Sequence, residues 1–188
     1  MKSRFLRQFL FVLVAFVGFS QAAVAGQYSA LVVEPESGRI LYEKDADGLR
    51  HPASVTKMMT LYLVFEALEK GEITLNTPLE VSRYAVSRPP SRLGVEAGST
   101  LRVEDAILAL VTRSANDAAT VIAENLGGTE SAFGEMMTAK ARALGMRDSV
   151  FKNASGLPDP GQWTSARDMY KLGRALIYDF PRYYPYFS

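Results

Sequence analysis

Cysteine is absent from this chain, and histidine occurs once, at position 51. The first absence excludes disulfides, cysteine nucleophiles and thiolate metal sites, so stability has to come from packing. One histidine leaves a zinc site without its usual ligands, and neither a metal nor a cofactor is expected. A Ser-His-Asp triad would have to use His51, three residues before Ser54, and no Gly-x-Ser-x-Gly elbow surrounds that serine. His51 is therefore read as a loop residue. After residue 25 there is no second long apolar run, so nothing else in the sequence reads as a membrane span. No basic stripe, and no interleaving of basic and aromatic residues, suits nucleic acid.

What is present at the N-terminus does not belong to a fold. Lys2, Arg4 and Arg7 form a positive region, residues 9–19 are apolar apart from small side chains, and Ala23-Val24-Ala25 is a small-x-small cleavage signal. That is the pattern of a secretory signal peptide spanning residues 1–25. The apolar run is short for a retained anchor, which needs roughly 20 residues. The expected localisation is export to the periplasm or cell envelope. Removing the three basic residues takes the formal charge from +1 to −2. Residues 26–188 are long enough for one domain with a real core.

Periodicity gives an order of elements. Residues 27–33 and 39–43 read as strands around a Pro35–Gly38 turn, hence a hairpin. Residues 55–70 form the clearest helix, with Met58, Leu61, Tyr62, Phe65 and Leu68 on one apolar face and Gly71 as its stop. A short strand over 77–82, a loop over 88–94 and a helix entry over 100–105 follow. Helices are expected over 103–113, 118–126 (capped by Asn116 or Asp117), 131–144 and 166–178 (capped by Thr164 or Ser165). Residues 150–162 read as loop, and the aromatic run 180–187 as a segment docked on the core. Two strands make no independent sheet, so these helices call for a larger sheet than the sequence supplies.

The chemistry lies in Ser54-Val55-Thr56-Lys57 and, sixty residues later, Ser114-Ala115-Asn116. A serine and a lysine three apart at a helix start share a face, which gives a weakly nucleophilic hydroxyl a local base without histidine. Read alone, Ser54 is a plain helix cap. Lys57, however, sits where a helix dipole disfavours a cation. Its neighbours Met58, Met59 and Leu61 suggest burial, which lowers a lysine's pKa and frees its lone pair. The bland alternative is a solvated lysine running past methionines. The second motif adds a hydroxyl able to relay a proton and an amide able to hold a peptide-like substrate. Together the two motifs point to acyl transfer through a serine ester.

At these residues the chain resembles the serine D-alanyl-D-alanine carboxypeptidases, the low-molecular-mass penicillin-binding proteins. The resemblance runs from about residue 30 to 188. It rests on residues 51–57, on Ser114-Ala-Asn-Asp-Ala-Ala119, and on residues 149–157 with 164–168. It implies an α/β fold of the α+β type, β-lactamase/transpeptidase-like: an antiparallel sheet packed on helices, with a helical subdomain beside it. Carried over, Ser54 would be the acylated nucleophile, Lys57 its base, Ser114 the proton relay to the leaving D-alanine, and Asn116 the binder of the substrate amide. The implied partners are a peptidoglycan stem peptide ending in D-Ala-D-Ala and β-lactam antibiotics as inhibitors. Peripheral inner-membrane association would come through sequence not present here. The family's third motif, Lys-Thr-Gly, occurs nowhere in the 188 residues, so the expectation is a chain truncated before that strand, with an incomplete sheet. The competing expectations are a cross-link endopeptidase using the same residues, a β-lactamase on the same fold, and a non-catalytic relative that binds peptide. A class A β-lactamase needs a glutamate-activated water, and the 150–162 loop offers Asp159 but no glutamate, which disfavours that reading.

Overall fold

The computed structural model describes residues 28–187. The signal-peptide expectation for residues 1–25 lies outside them. The chain opens with a hairpin, β1 (Ala30–Val33) and β2 (Ile40–Lys44), paired antiparallel from Ala30↔Lys44 to Val33↔Ile40 with an irregularity at Val32/Val33. A 3-10 turn, Ala53–Thr56, leads into α1 (Lys57–Glu69). Next come β3 (Pro78–Glu80), the one-turn helix α2 (Arg83–Val86), β4 (Thr100–Arg102), α3 (Val103–Arg113), α4 (Asn116–Gly127), α5 (Glu130–Ala143) and α6 (Ala166–Asp179). A 3-10 segment, Pro181–Phe187, closes the described chain.

The core is built around α1. Nine of its thirteen residues are buried, from Lys57 and Met59 through Phe65 and Ala67. The expected one-sided apolar face is thus replaced by burial nearly all round, which is what a central helix shows. It packs against α4, α5 and α6. Phe65, fully buried, stacks on Tyr183 at 4.8 Å and meets Phe180 edge-on at 6.0 Å. The aromatic run therefore docks on the core as its composition suggests.

Residues 100–102, expected to enter a helix, instead pair with β3 in the register Leu79↔Leu101. Both leucines are buried, and that shared burial decides in favour of a strand. The helix starts one residue later with Glu104 and Asp105 in its first turn. Ser165 caps α6 as expected, and Thr129 caps α5, each side chain accepting a backbone N–H three residues on.

The two ladders are separate two-stranded sheets. All five residues of β2 are exposed, including Ile40, Leu41 and Tyr42, and Val32 of β1 is about half exposed. A hairpin with apolar side chains open to solvent on both faces is a sheet lacking neighbours. Among the described residues, no helix is long and apolar enough to cross a membrane, and no cluster of three or more acidic or imidazole side chains could hold a metal.

Candidate active site

The turn that carries Ser54 is held open by backbone geometry. Ala53 has φ +46° and Pro52 is buried, so the 53–56 segment forms a 3-10 turn, with Ser54 exposed inside it. Ser54 is not the cap of α1, whose capping residue, Thr56, makes no side-chain capping bond. The plain-cap reading of this serine fails, because the tight turn places it two residues before the cap.

Three residues on, Lys57 is 4% exposed. Its Nζ donates to Asn116 Oδ1 at 2.8 Å and to Ser155 O at 2.6 Å. Both partners are neutral. Burial alone lowers its pKa from 10.5 to about 8. In the neutral amine, two N–H groups meet two acceptors, so the lone pair has one direction left. Ser54 and Lys57 together line an open cleft of about 420 Å³ with Leu61, Leu110, Tyr186 and Phe187. On the other flank of the turn, His51, Ala53, Gly156, Leu157 and Gln162 line a cleft of about 320 Å³. A cleft of about 450 Å³ between the 35–38 turn and α6 contains none of the expected site residues.

The second motif sits at the α3–α4 junction, as its spacing requires. Ser114 ends α3 in the left-handed region, φ 53°. A non-glycine residue there costs roughly 1–2 kcal/mol. Its Oγ is buried and has no hydrogen-bond partner among the described residues, a state that typically costs ~1–3 kcal/mol. Backbone strain and an unpartnered buried hydroxyl on the same residue are features that cluster at functional positions. Asn116 completes the contact with Lys57 and orients itself by donating from Nδ2 to Pro89 O at 3.0 Å. The structure thus joins Lys57 to Asn116 directly and puts Ser54 and Lys57 in one cleft, but Ser114 makes no hydrogen bond to any of the three.

Three contributors escape sequence reasoning. Residues 153–155, within the stretch read as loop, supply the Ser155 carbonyl to Lys57. Asn153 braces that turn, its Oδ1 accepting from Gly156 N at 2.7 Å. Gly156, at φ +84°, lies so close to the Ala53 carbonyl that any side chain would overlap it. Asp117, 1% exposed, does not cap α4; it accepts from Leu93 N and Gly94 N, each at 2.8 Å, and so ties the 88–94 loop to the motif. His51 accounts for itself structurally: Nδ1 lies 2.8 Å from Gln162 O, and the ring stacks on Trp163 at 4.0 Å. The resemblance covers residues 149–157 and Asp117 without giving them these roles, and the density of small and turn-forming residues in 153–161 is a weak signal beside it.

An exposed serine three residues before a buried, uncompensated lysine that is held by an asparagine amide is the arrangement that acyl transfer through a serine without histidine requires. The chain belongs to the D-alanyl-D-alanine carboxypeptidase family, peptidase family S11, whose profile matches residues 18–187. It is 36% identical over 149 residues to the D-alanyl-D-alanine carboxypeptidase DacF of Bacillus subtilis, an overlap of 79% of this chain and 38% of that one. The crystal structure of the D-alanyl-D-alanine carboxypeptidase DacD from Francisella tularensis superposes with a TM-score of 0.82 at 36% identity, covering 85% of this chain and 38% of that one. Penicillin-binding protein D2 from Listeria monocytogenes, in its ampicillin-bound form, gives a TM-score of 0.68 at 32% identity, over 82% and 62% of the two chains. The fold is that of the penicillin-binding proteins, and the chain spans less than half the length of the first two of these relatives.

Proposed function

We propose that the protein is a serine-type D-alanyl-D-alanine carboxypeptidase that cleaves the terminal D-alanine from peptidoglycan stem peptides and is acylated by penicillin. The observation that carries this reading is Lys57: a buried ammonium with only neutral acceptors, its pKa lowered to about 8, three residues from an exposed serine. About a tenth of Lys57 is neutral at pH 7, enough to serve as a base. Ser54 Oγ attacks the penultimate D-alanine carbonyl and gives its proton to Lys57 Nζ. The C–N bond to the terminal D-alanine breaks, and that amine takes a proton through Ser114. Water then cleaves the Ser54 ester, restoring the hydroxyl and releasing the shortened peptide. Asn116 holds the substrate amide. The Ser54 backbone N–H supplies one oxyanion donor, and loss of a single such donor costs on the order of 10²–10³ in rate. With a β-lactam the ring amide opens on Ser54 and the ester persists.

The protein is exported on residues 1–25 and acts in the cell envelope. The Lys2, Arg4, Arg7 and Ala23-Val24-Ala25 pattern supports export. Envelope-purified protein should begin at Gly26 by N-terminal mass analysis.

The deciding experiment supplies the full-length protein with a peptide ending in D-Ala-D-Ala and measures free D-alanine. One D-alanine released per peptide, and none with Ser54→Ala, is expected. Release that persists in Ser54→Ala would sink the mechanism, and hydrolysis of many penicillin equivalents per protein would favour a β-lactamase instead.

A further inference from the structure

Two loops distant in sequence bear on one ammonium, the 153–155 turn through the Ser155 carbonyl and the 88–94 loop through Asn116, and both reach the same buried carboxylate. Glu130, in the first turn of α5, is 7% exposed. Its Oε1 accepts from the Ala154 backbone N–H at 3.3 Å and from Thr120 Oγ1 at 3.1 Å. Ala154 immediately precedes Ser155, whose carbonyl receives Lys57. Glu130 Oε2 accepts from the Tyr84 hydroxyl at 2.9 Å. Arg88 lies over the Tyr84 ring at 3.8 Å, donates to the Tyr84 hydroxyl at 2.9 Å, and sits 3.9 Å from Glu130 Oε2. Arg88 immediately precedes Pro89, whose carbonyl points the Asn116 amide toward Lys57. Thr120 lies one turn along α4 from Asn116. One carboxylate therefore reaches the Ser155 branch, the Pro89 branch and the helix that carries Asn116.

A buried carboxylate is costly where an apolar side chain could fill the space, so its retention calls for a task. We propose that Glu130 is a positioning residue for Lys57: it fixes the two segments that supply and orient the acceptors of the Lys57 ammonium. The inference rests on the carboxypeptidase reading, in which the Lys57 lone pair takes the Ser54 proton. With both N–H groups of the neutral amine tied to Ser155 O and Asn116 Oδ1, the lone pair is aimed only as well as those acceptors are held. Loss of Glu130 frees both. The groups facing Lys57 from the 153–157 turn and from α4 are a carbonyl and an amide, and its depressed pKa comes from burial alone. Loosened loops admit water, and a rehydrated ammonium moves back toward 10.5.

The test is the rate of acylation of the full-length protein by a fluorescent penicillin between pH 6 and 10. It compares the parent, Glu130→Ala, Glu130→Gln and Arg167→Ala. The parent rate should rise through an inflection near 8. Glu130→Ala should raise that inflection by about one unit or more, losing roughly tenfold at pH 7 and recovering in alkali. Glu130→Gln, which still accepts from Thr120 and Ala154, should fall between. Arg167→Ala breaks ion pairs with Asp47 and Glu43, which share no hydrogen bond with Lys57 or its two acceptors; it should lower the melting temperature without moving the inflection. An unshifted inflection in Glu130→Ala, with the rate unchanged or lowered equally at every pH, overturns the proposal. Should Glu130→Ala fail to fold, Glu130→Gln decides alone: a raised inflection supports the proposal and an unchanged one overturns it. A parent that is never acylated overturns the carboxypeptidase reading itself, an outcome distinct from an unshifted variant.

Discussion

Raising the pH should act through Lys57 twice, on the stability of the fold and on the reaction, and both should increase. The native state lowers its pKa from 10.5 to about 8, so the folded protein releases this proton before the unfolded chain does. Below pH 8 both states are protonated, and the fold bears the cost of a buried ammonium. Between 8 and 10.5 the unfolded state holds more protons, so stability rises with pH over that window. At about 1.4 kcal/mol per unit, 2.5 units amount to roughly 3 kcal/mol from this one group. Lys57→Met removes the titration and isolates it. It also leaves Asn116 Oδ1 and Ser155 O without their donor, at a cost of ~1–3 kcal/mol at every pH. Denaturant unfolding of the full-length parent and of Lys57→Met should therefore show the parent gaining on the variant by roughly 3 kcal/mol from pH 7.5 to 10.5. From pH 7 the acylation rate should climb about tenfold and level off above 9, as the neutral fraction goes from about a tenth to nearly all. A stability difference that is flat with pH, beside an acylation rate that does not rise, would refute the claim that Lys57 is buried and uncompensated.

Gly156→Ala should slow acylation at least tenfold and lower the melting temperature, because a methyl group overlaps the Ala53 carbonyl and the site demands φ +84°; an unaffected rate would show that this contact does not set the nucleophile turn. Phe65→Ala should cost about 3–5 kcal/mol in denaturant unfolding, since Phe65 is fully buried and stacked on Tyr183. His51→Ala should lose stability through the Gln162 and Trp163 contacts yet keep the parent's acylation inflection; loss of the inflection would make His51 the base.

The helices were legible because their signals are local: apolar repeats at three and four, Ser165 ahead of α6, Gly71 after α1. The candidate residues Ser54, Lys57, Ser114 and Asn116 were legible too, through the resemblance of two motifs to one family, but that resemblance gave Asn116 to the substrate, and its bond to Lys57 appears only in the structure. The remainder depends on contacts that leave no local mark. Burial of α1 on all sides follows from what surrounds it, not from its own periodicity. Residues 100–102 carry no strand signal strong enough to compete with the helix that follows; only Leu79 across the ladder decides. Asp117 and Glu130 stand where capping acids belong, and nothing in the sequence says that their carboxylates turn inward to hold other loops. The second acceptor of Lys57 is a backbone carbonyl, which any residue at position 155 would offer. The exposed hairpin is the reverse case: too few strands for its helices was readable from element order, and Ile40, Leu41 and Tyr42 in solvent are the same fact in three dimensions.

The central claim is that Ser54 carries the acyl group. Intact-mass and peptide mapping of the full-length protein after brief exposure to penicillin tests it most directly. The account predicts one added penicillin mass, located on the peptide containing Ser54 and absent in Ser54→Ala. An adduct on any other residue, or an equal adduct on Ser54→Ala, would contradict it.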